Sequence, residues 1–218
     1  MAEEKPKSIF DQIRALPKTQ LVPKTQEAIN WYNKTIKSLG GTPRRELILT
    51  DTSKDRKIRK SPIYGKMFLF FYDAKTKEDL KYFDRFPIVI PIEPYVHENG
   101  SRGFIGLNLH YLPPLLRMKF LDKLHELTNN KKYNSTTKFK LTYEFLSGSA
   151  KLKEFKPCLK IYLTKPNHIK SSMLELSYPD WVTVSLLPTE FFVTYKNNGN
   201  GRRYSKEKVW ADSRSKIK

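Results

Sequence analysis

Cysteine is almost absent. The single Cys158 excludes an intramolecular disulfide framework and any zinc site assembled from cysteine pairs. A reducing compartment, or indifference to redox state, is expected. Glycine is also sparse, at 9 of 218 residues. There is no G-x-x-x-x-G-K-[ST] phosphate loop, no G-x-G-x-x-G fingerprint and no G-x-S-x-G nucleophile elbow. No run approaches the ~18 consecutive apolar residues that a membrane helix needs. The first residues, Met-Ala-Glu-Glu-Lys-Pro-Lys, lack the apolar segment of a secretory signal. A protein that acts where it is made, or is carried inside a larger particle, is therefore expected, with no membrane partner. Acidic residues are outnumbered: 22 Asp and Glu stand against 41 Lys and Arg, a formal charge of +19. That balance sets aside an ordinary acidic enzyme and makes a polyanion, above all nucleic acid, the first partner to consider.

What is present is enough for a folded body, with 39% hydrophobic and 13% aromatic residues. The charge is uneven along the chain. Residues 1–62 carry 14 basic and 7 acidic side chains, 63–130 carry 9 and 8, 131–195 carry 10 and 5, and 196–218 carry 8 and 2. A nearly neutral middle between basic flanks reads as a core with basic arms. The expected organisation is a basic N-terminal arm over 1–62 holding one helix, an α+β core over 63–195, and a basic tail over 196–218.

Pro6, Pro17 and Pro23 mark an extended arm. Ala28, Trp31, Tyr32, Ile36 and Leu39 fall near helical spacing, ended by Gly40-Gly41, so a helix over 26–39 is expected. Residues 42–62 form the densest basic stretch and read as a linker or binding loop. Strands are expected over 66–72, 86–92 and 103–111, with Pro87 and Pro91 marking an edge or strand end and Glu98-Asn99-Gly100-Ser101 a hairpin turn. Pro113-Pro114 opens a helix whose stripe is Leu116, Phe120, Leu121, Leu124 and Leu127. Between 131 and 165 the pattern is ambiguous. Phe139, Leu141, Tyr143 and Phe145 alternate like a strand, while Leu141 and Phe145 also fit a helix turn. Ser149 is a candidate cap for a short helix with Leu152 and Phe155, followed by an apolar element over 157–163. Met173–Leu176 and Trp181–Leu187 are strand-like, and Phe191-Phe192-Val193 is expected to close the sheet. The expected fold class is α+β: a small antiparallel barrel or sheet, SH3-like or similar, with a packed amphipathic helix and basic terminal arms.

Catalytic constellations are thin. His97, His110, His125 and His168 show no i, i+4 metal spacing and read as surface or half-buried imidazoles. Cys158 with His168 is a conceivable nucleophile pair, but an apolar setting keeps a thiol inert. A metal-dependent nuclease is the enzyme to weigh. Asp73-Ala74-Lys75 has the Asp-x-Lys form, with Asp51, Asp55 or Asp84 as a second carboxylate. That short pattern arises by chance in a lysine-rich chain, and turns favour Asp. No enzyme, metal or cofactor is expected. A helix-turn-helix fails for want of a second helix after 26–39. Basic charge interleaved with aromatics remains: Tyr64, Tyr82, Tyr95, Tyr133, Tyr195 and Tyr204 each lie near a Lys or Arg. Such rings can stack on unpaired bases or cap a duplex end, though tyrosines at strand ends are often partly buried. The expected phosphate contacts are Arg44, Arg45, Lys54, Arg56, Lys57, Arg59 and Lys60, supported by Lys131, Lys132, Arg202 and Arg203.

Four blocks stand out together: GKMFLFFYDAKTKEDLKYFDRFPIVIPIEPY (65–95), GFIGLNLHYLPP (103–114), FKPCLKIYL (155–163) and HIKSSMLELSYPDWVTVSLLPTEFF (168–192). Through them the chain resembles the DNA end protector proteins of T4-like tailed bacteriophages, especially the marine and cyanophage members, over roughly 26–192. The resemblance implies a non-enzymatic protein that rides in the virion near the head–tail joint. It would bind the double-stranded ends of the packaged genome and shield them from host exonucleases in the cytoplasm after injection. It brings no catalytic residues. The rival expectation is a structural neck or baseplate component whose basic arms dock on neighbouring virion proteins.

Overall fold

A computed structural model describes residues 57–128, 131–164, 167–176, 189–195 and 201–215. Among them the strands, in chain order, are β1 (Lys57–Arg59), β2 (Met67–Leu69), β3 (Phe83–Asp84), β4 (Ile88–Val96), β5 (Arg102–Asn108), β6 (Leu159–Leu163), β7 (Met173–Leu176), β8 (Phe192–Thr194) and β9 (Arg202–Arg203). Six form one antiparallel sheet in the order β1-β7-β2-β4-β5-β6, and three form a second in the order β3-β8-β9. The helices are α1 (Pro114–Thr128), α2 (Ser135–Lys151) and α3 (Lys206–Ser215). None of these helices is long and apolar enough to cross a membrane.

Both faces of the large sheet are buried, and the period of two sorts its side chains. Met67 and Leu69 of β2 lie with Ile88 and Ile90 of β4 and Leu107 of β5 in one cluster. Phe68 and Phe70 lie with Val89, Phe104 and Tyr162 in the other. The helical hairpin α1–α2 covers the first cluster through Phe120, Leu121, Leu124 and Leu146. Phe120 stacks on Phe145 of α2, with ring centroids 5.4 Å apart. On the opposite cluster, Phe70 meets the edge of Tyr162 at 5.5 Å. The β4–β5 hairpin closes at His97–Ser101, where the His97 amide bonds the Ser101 carbonyl and Gly100 takes a left-handed φ of +78° that a side chain would resist.

The α+β class and antiparallel pairing agree with the sequence reading, but the six-stranded sheet is open and not closed into a barrel. Several expectations need correction. Pro87 marks the start of β4, as a strand-end proline, but Pro91 lies inside β4, which is an interior strand. Its register shifts between Pro91 and Glu93, and the bulge accommodates a proline opposite Gly106 without a ladder donor. Phe139–Phe145, open between strand and helix from its pattern, resolves as helix, within α2, capped by Asn134, whose side chain accepts the Thr137 amide. Its buried positions, Thr142, Leu146 and Ser149, are spaced at three and four residues, so Phe139 and Tyr143 fall outside the buried stripe. Ser149 does not cap a following α-helix. Lys153–Cys158 forms a 3-10 segment whose N-cap is Leu152. In α1, Leu116 is exposed while Phe120, Leu121 and Leu124 are buried. β8 pairs in the small sheet and does not complete the large one. Residues 57–59, read within a binding loop, pair with β7 as an edge strand.

The stretch 201–215, read as tail, contains β9 and α3. Val209 enters the first cluster, the Trp210 indole donates to the His110 carbonyl at 2.8 Å, and Asp212 meets Lys81 at 2.6 Å. One buried apolar residue per two turns was too weak a stripe to read against so much charge. The helix 26–39, the arm 1–24 and the strand Trp181–Leu187 lie outside the described residues.

Candidate nucleic-acid interface

The expected phosphate contacts fall on separate elements. Arg44, Arg45, Lys54 and Arg56 lie outside the described residues, and of Lys57 only the backbone pairing with Glu175 is described. Arg59, at the end of β1, points its Nε at Glu175 Oε2, 3.0 Å away on β7. Much of its charge is thereby answered within the sheet. Lys60, next in the chain, is exposed. Lys131 and Lys132 are exposed in the turn between α1 and α2. Arg202 and Arg203 are exposed on β9, the outer strand of the small sheet, with the Arg203 guanidinium 6.0 Å from the Phe191 ring. Charge thus sits at the β1 edge, the hairpin turn and the β9 edge.

Most of the flagged tyrosines pack instead of facing solvent. Tyr82 and Tyr204 stack at 4.8 Å, and burial, with lesser help from Asp212 and Tyr204, pushes the Tyr82 phenol up to about 12. Tyr195 stacks on Phe83 at 5.9 Å beneath Lys77. Tyr64 is half-buried against the second cluster, and Tyr95 meets the edge of His97. Tyr133 is the exposed one.

The candidate enzymatic groups are engaged internally. Asp73 accepts from Lys77 Nζ with both carboxylate oxygens at 3.1 Å. Asp84 is buried and turned to His110. Asp51 and Asp55 lie outside the described residues. Cys158 is buried, and burial pushes its thiol up to about 12. His168 Nδ1 lies 2.9 Å from the Asp73 carbonyl oxygen. Among the described residues no three His, Cys, Asp or Glu side chains are grouped to hold a metal ion.

Sequence reading missed a buried polar network. His110 and His125, expected at or near the surface, are both buried. His110 Nδ1 lies 2.6 Å from Asp84 Oδ2, and its Nε2 lies 3.0 Å from Thr189 Oγ1. The Asn108 amide nitrogen donates to Asp84 and to the Tyr162 hydroxyl. Beside them the Arg117 guanidinium, also buried, donates to the carbonyls of Leu109 and Leu112 and to Glu190 Oε1 at 2.9 Å. Lys206 of α3 reaches Glu190 Oε2 at 3.4 Å. Burial alone would raise the Glu190 carboxyl. Electrostatic interaction with His110, Arg117 and Lys206 outweighs it and brings the carboxyl down to about 2. Up to 106 positions separate Asp84 from Glu190 (190 − 84), so no short spacing announced the network. With its side chains buried except that of Lys206, which is partly exposed, it fixes the joint between the two sheets and α3.

The model of the family described as the phage T4 terminal DNA protecting protein matches residues 8–213. The chain belongs to that family. No curated protein and no solved structure matches it significantly. The matched span takes in both sheets, the helical hairpin and nearly all of α3 of this terminal DNA protecting family member. It includes the basic positions named above, from Arg44 to Arg203.

Proposed function

We propose that this protein binds the ends of double-stranded DNA by phosphate contact and shields them from exonucleases, as a non-catalytic component of a phage particle near the head–tail joint. The observation that carries the reading is membership of a terminal DNA protecting family over 8–213. The surplus of 41 basic over 22 acidic side chains supports it, since a polyanion is the partner such a chain attracts. So does the exposure of Lys60, Lys131, Arg202 and Arg203 on element edges and turns. Contacts of that kind neutralise phosphate without reading bases, which suits a protein that must accept any terminus.

The test is protection of a linear duplex against a processive exonuclease, with closed circular duplex as competitor. Protection of the linear form at a protein excess that leaves the circle largely unbound is the expected result. Binding to neither form refutes the reading and favours a structural component whose basic segments dock on neighbouring virion proteins.

A further inference from the structure

The helical hairpin carries an aromatic and basic face that the core does not use. Phe139 of α2 is 61% exposed and Tyr143, one turn on, is 45% exposed. Spacing at i, i+4 places the two side chains next to each other on the helix surface. Tyr133, in the turn before α2, is 38% exposed. A phenylalanine this open is unusual in a chain whose other described aromatics are mostly stacked in the two clusters. The charge around it is mostly basic. Between 131 and 153 stand six lysines (Lys131, Lys132, Lys138, Lys140, Lys151, Lys153) against a single acid, Glu144, exposed beside Tyr143. Lys131, Lys132 and Lys140 are exposed, and Lys140 lies one turn from Tyr143 on the same side.

We propose that this face is the end-recognising surface: Phe139 and Tyr143 stack on the open face of the last base pair, or on a base frayed from it, while the surrounding lysines contact the flanking phosphates. Continuous duplex offers no exposed base face. Only a terminus presents a flat apolar surface bordered by two phosphate backbones, and this patch matches that combination in shape and charge. An acidic protein partner would match the lysines but gives no reason for flat rings at the centre. The inference rests on the DNA-end reading above and adds to it how an end is told from continuous duplex.

The experiment compares a blunt duplex with the same duplex closed by hairpins at both ends, using 2-aminopurine at the terminal or an internal position. Wild-type protein should prefer the blunt form and change the fluorescence of the terminal probe only. F139A/Y143A should lose about tenfold in affinity for the blunt form and keep its affinity for the closed one. F139W/Y143W should keep the preference, whereas F139L/Y143L, apolar but not flat, should lose it. These positions are exposed, so the variants should fold, which circular dichroism checks. If wild type prefers blunt ends and F139A/Y143A prefers them equally, the inference falls and the DNA-end reading stands. Leucine replacements that keep the preference also overturn stacking, since an apolar contact without a flat ring then suffices. A wild type without end preference or protection overturns the DNA-end reading itself.

Discussion

Replacing Glu190 by glutamine isolates the buried charge pair from the rest of the network. Both partners are almost wholly out of solvent, with Arg117 and Glu190 side chains 1% and 3% exposed at 2.9 Å separation. Glutamine keeps the shape but leaves the guanidinium without its counter-charge, a change that typically costs about 3–5 kcal/mol. The depressed carboxyl points to a similar figure. A carboxyl with an ordinary value of 4.5 held at about 2 corresponds to roughly 3 kcal/mol of preference for its ionised form. The folded value is depressed, so the stabilisation is complete above the unfolded value of 4.5 and drains away as pH falls toward about 2. Urea denaturation of wild type and E190Q should therefore differ by about 3 kcal/mol at pH 7. With a typical slope of about 2 kcal/mol per molar, that is a midpoint lowered by about 1.5 M. At pH 3 the gap should shrink to about half. A variant within about 0.3 M of wild type at pH 7, or a gap that stays constant down to pH 3, would refute the assignment of Glu190 as the ionised partner of Arg117.

The Cys158 thiol, buried with its value pushed up to about 12, should resist iodoacetamide at pH 8 in native protein and react promptly in urea; fast native labelling contradicts its burial. G103A should fold poorly or lose about 1–3 kcal/mol, because a Cβ there would meet the Tyr162 carbonyl oxygen and Leu163 backbone of β6; a thermal midpoint equal to wild type would place β5 and β6 further apart. Changing Lys60, Lys131, Arg202 and Arg203 together to serine should lower DNA affinity for all sequences alike and flatten its salt dependence, by a slope of about one per lost phosphate contact; an unchanged slope moves the contacts elsewhere.

Local patterns were the legible part. The aromatic apolar run around Met67–Phe70, the Glu98–Ser101 turn and the stripe Phe120, Leu121, Leu124 each depend on neighbours in sequence, and each appears in place. Phe139–Phe145 stayed open between strand and helix because its apolar spacing satisfies periods of 2 and 3.6 equally over so short a window. The location of α3 was hidden because its anchoring is tertiary: Trp210 and Val209 mean little until His110 and the first cluster are there to receive them. The buried network was illegible for the same reason, since Asp84, His110, Arg117 and Glu190 look like ordinary surface residues until the fold gathers them. For the interface, the basic positions could be read from charge alone. The exposure of Phe139 and Tyr143 could not, because it depends on which side of α2 faces the sheet.

The way α3 is fastened has a consequence for biogenesis. Trp210 and Lys206 close over groups contributed by His110 and Glu190, and His110 needs Thr189 as well. A nascent chain that has delivered both faces of β2, β4 and β5 but not yet residues 189–210 still holds Arg117 without Glu190. Contacts this distant in sequence form late and slowly. The body of the protein therefore cannot be finished strand by strand as it leaves the ribosome. It waits, first with the Arg117 guanidinium lacking its counter-charge until Glu190 is delivered, and then with the joint open until α3 docks. Until then the surface that α3 completes is unfinished, so the moment at which the folded surface becomes available is set by the position of one helix in the chain.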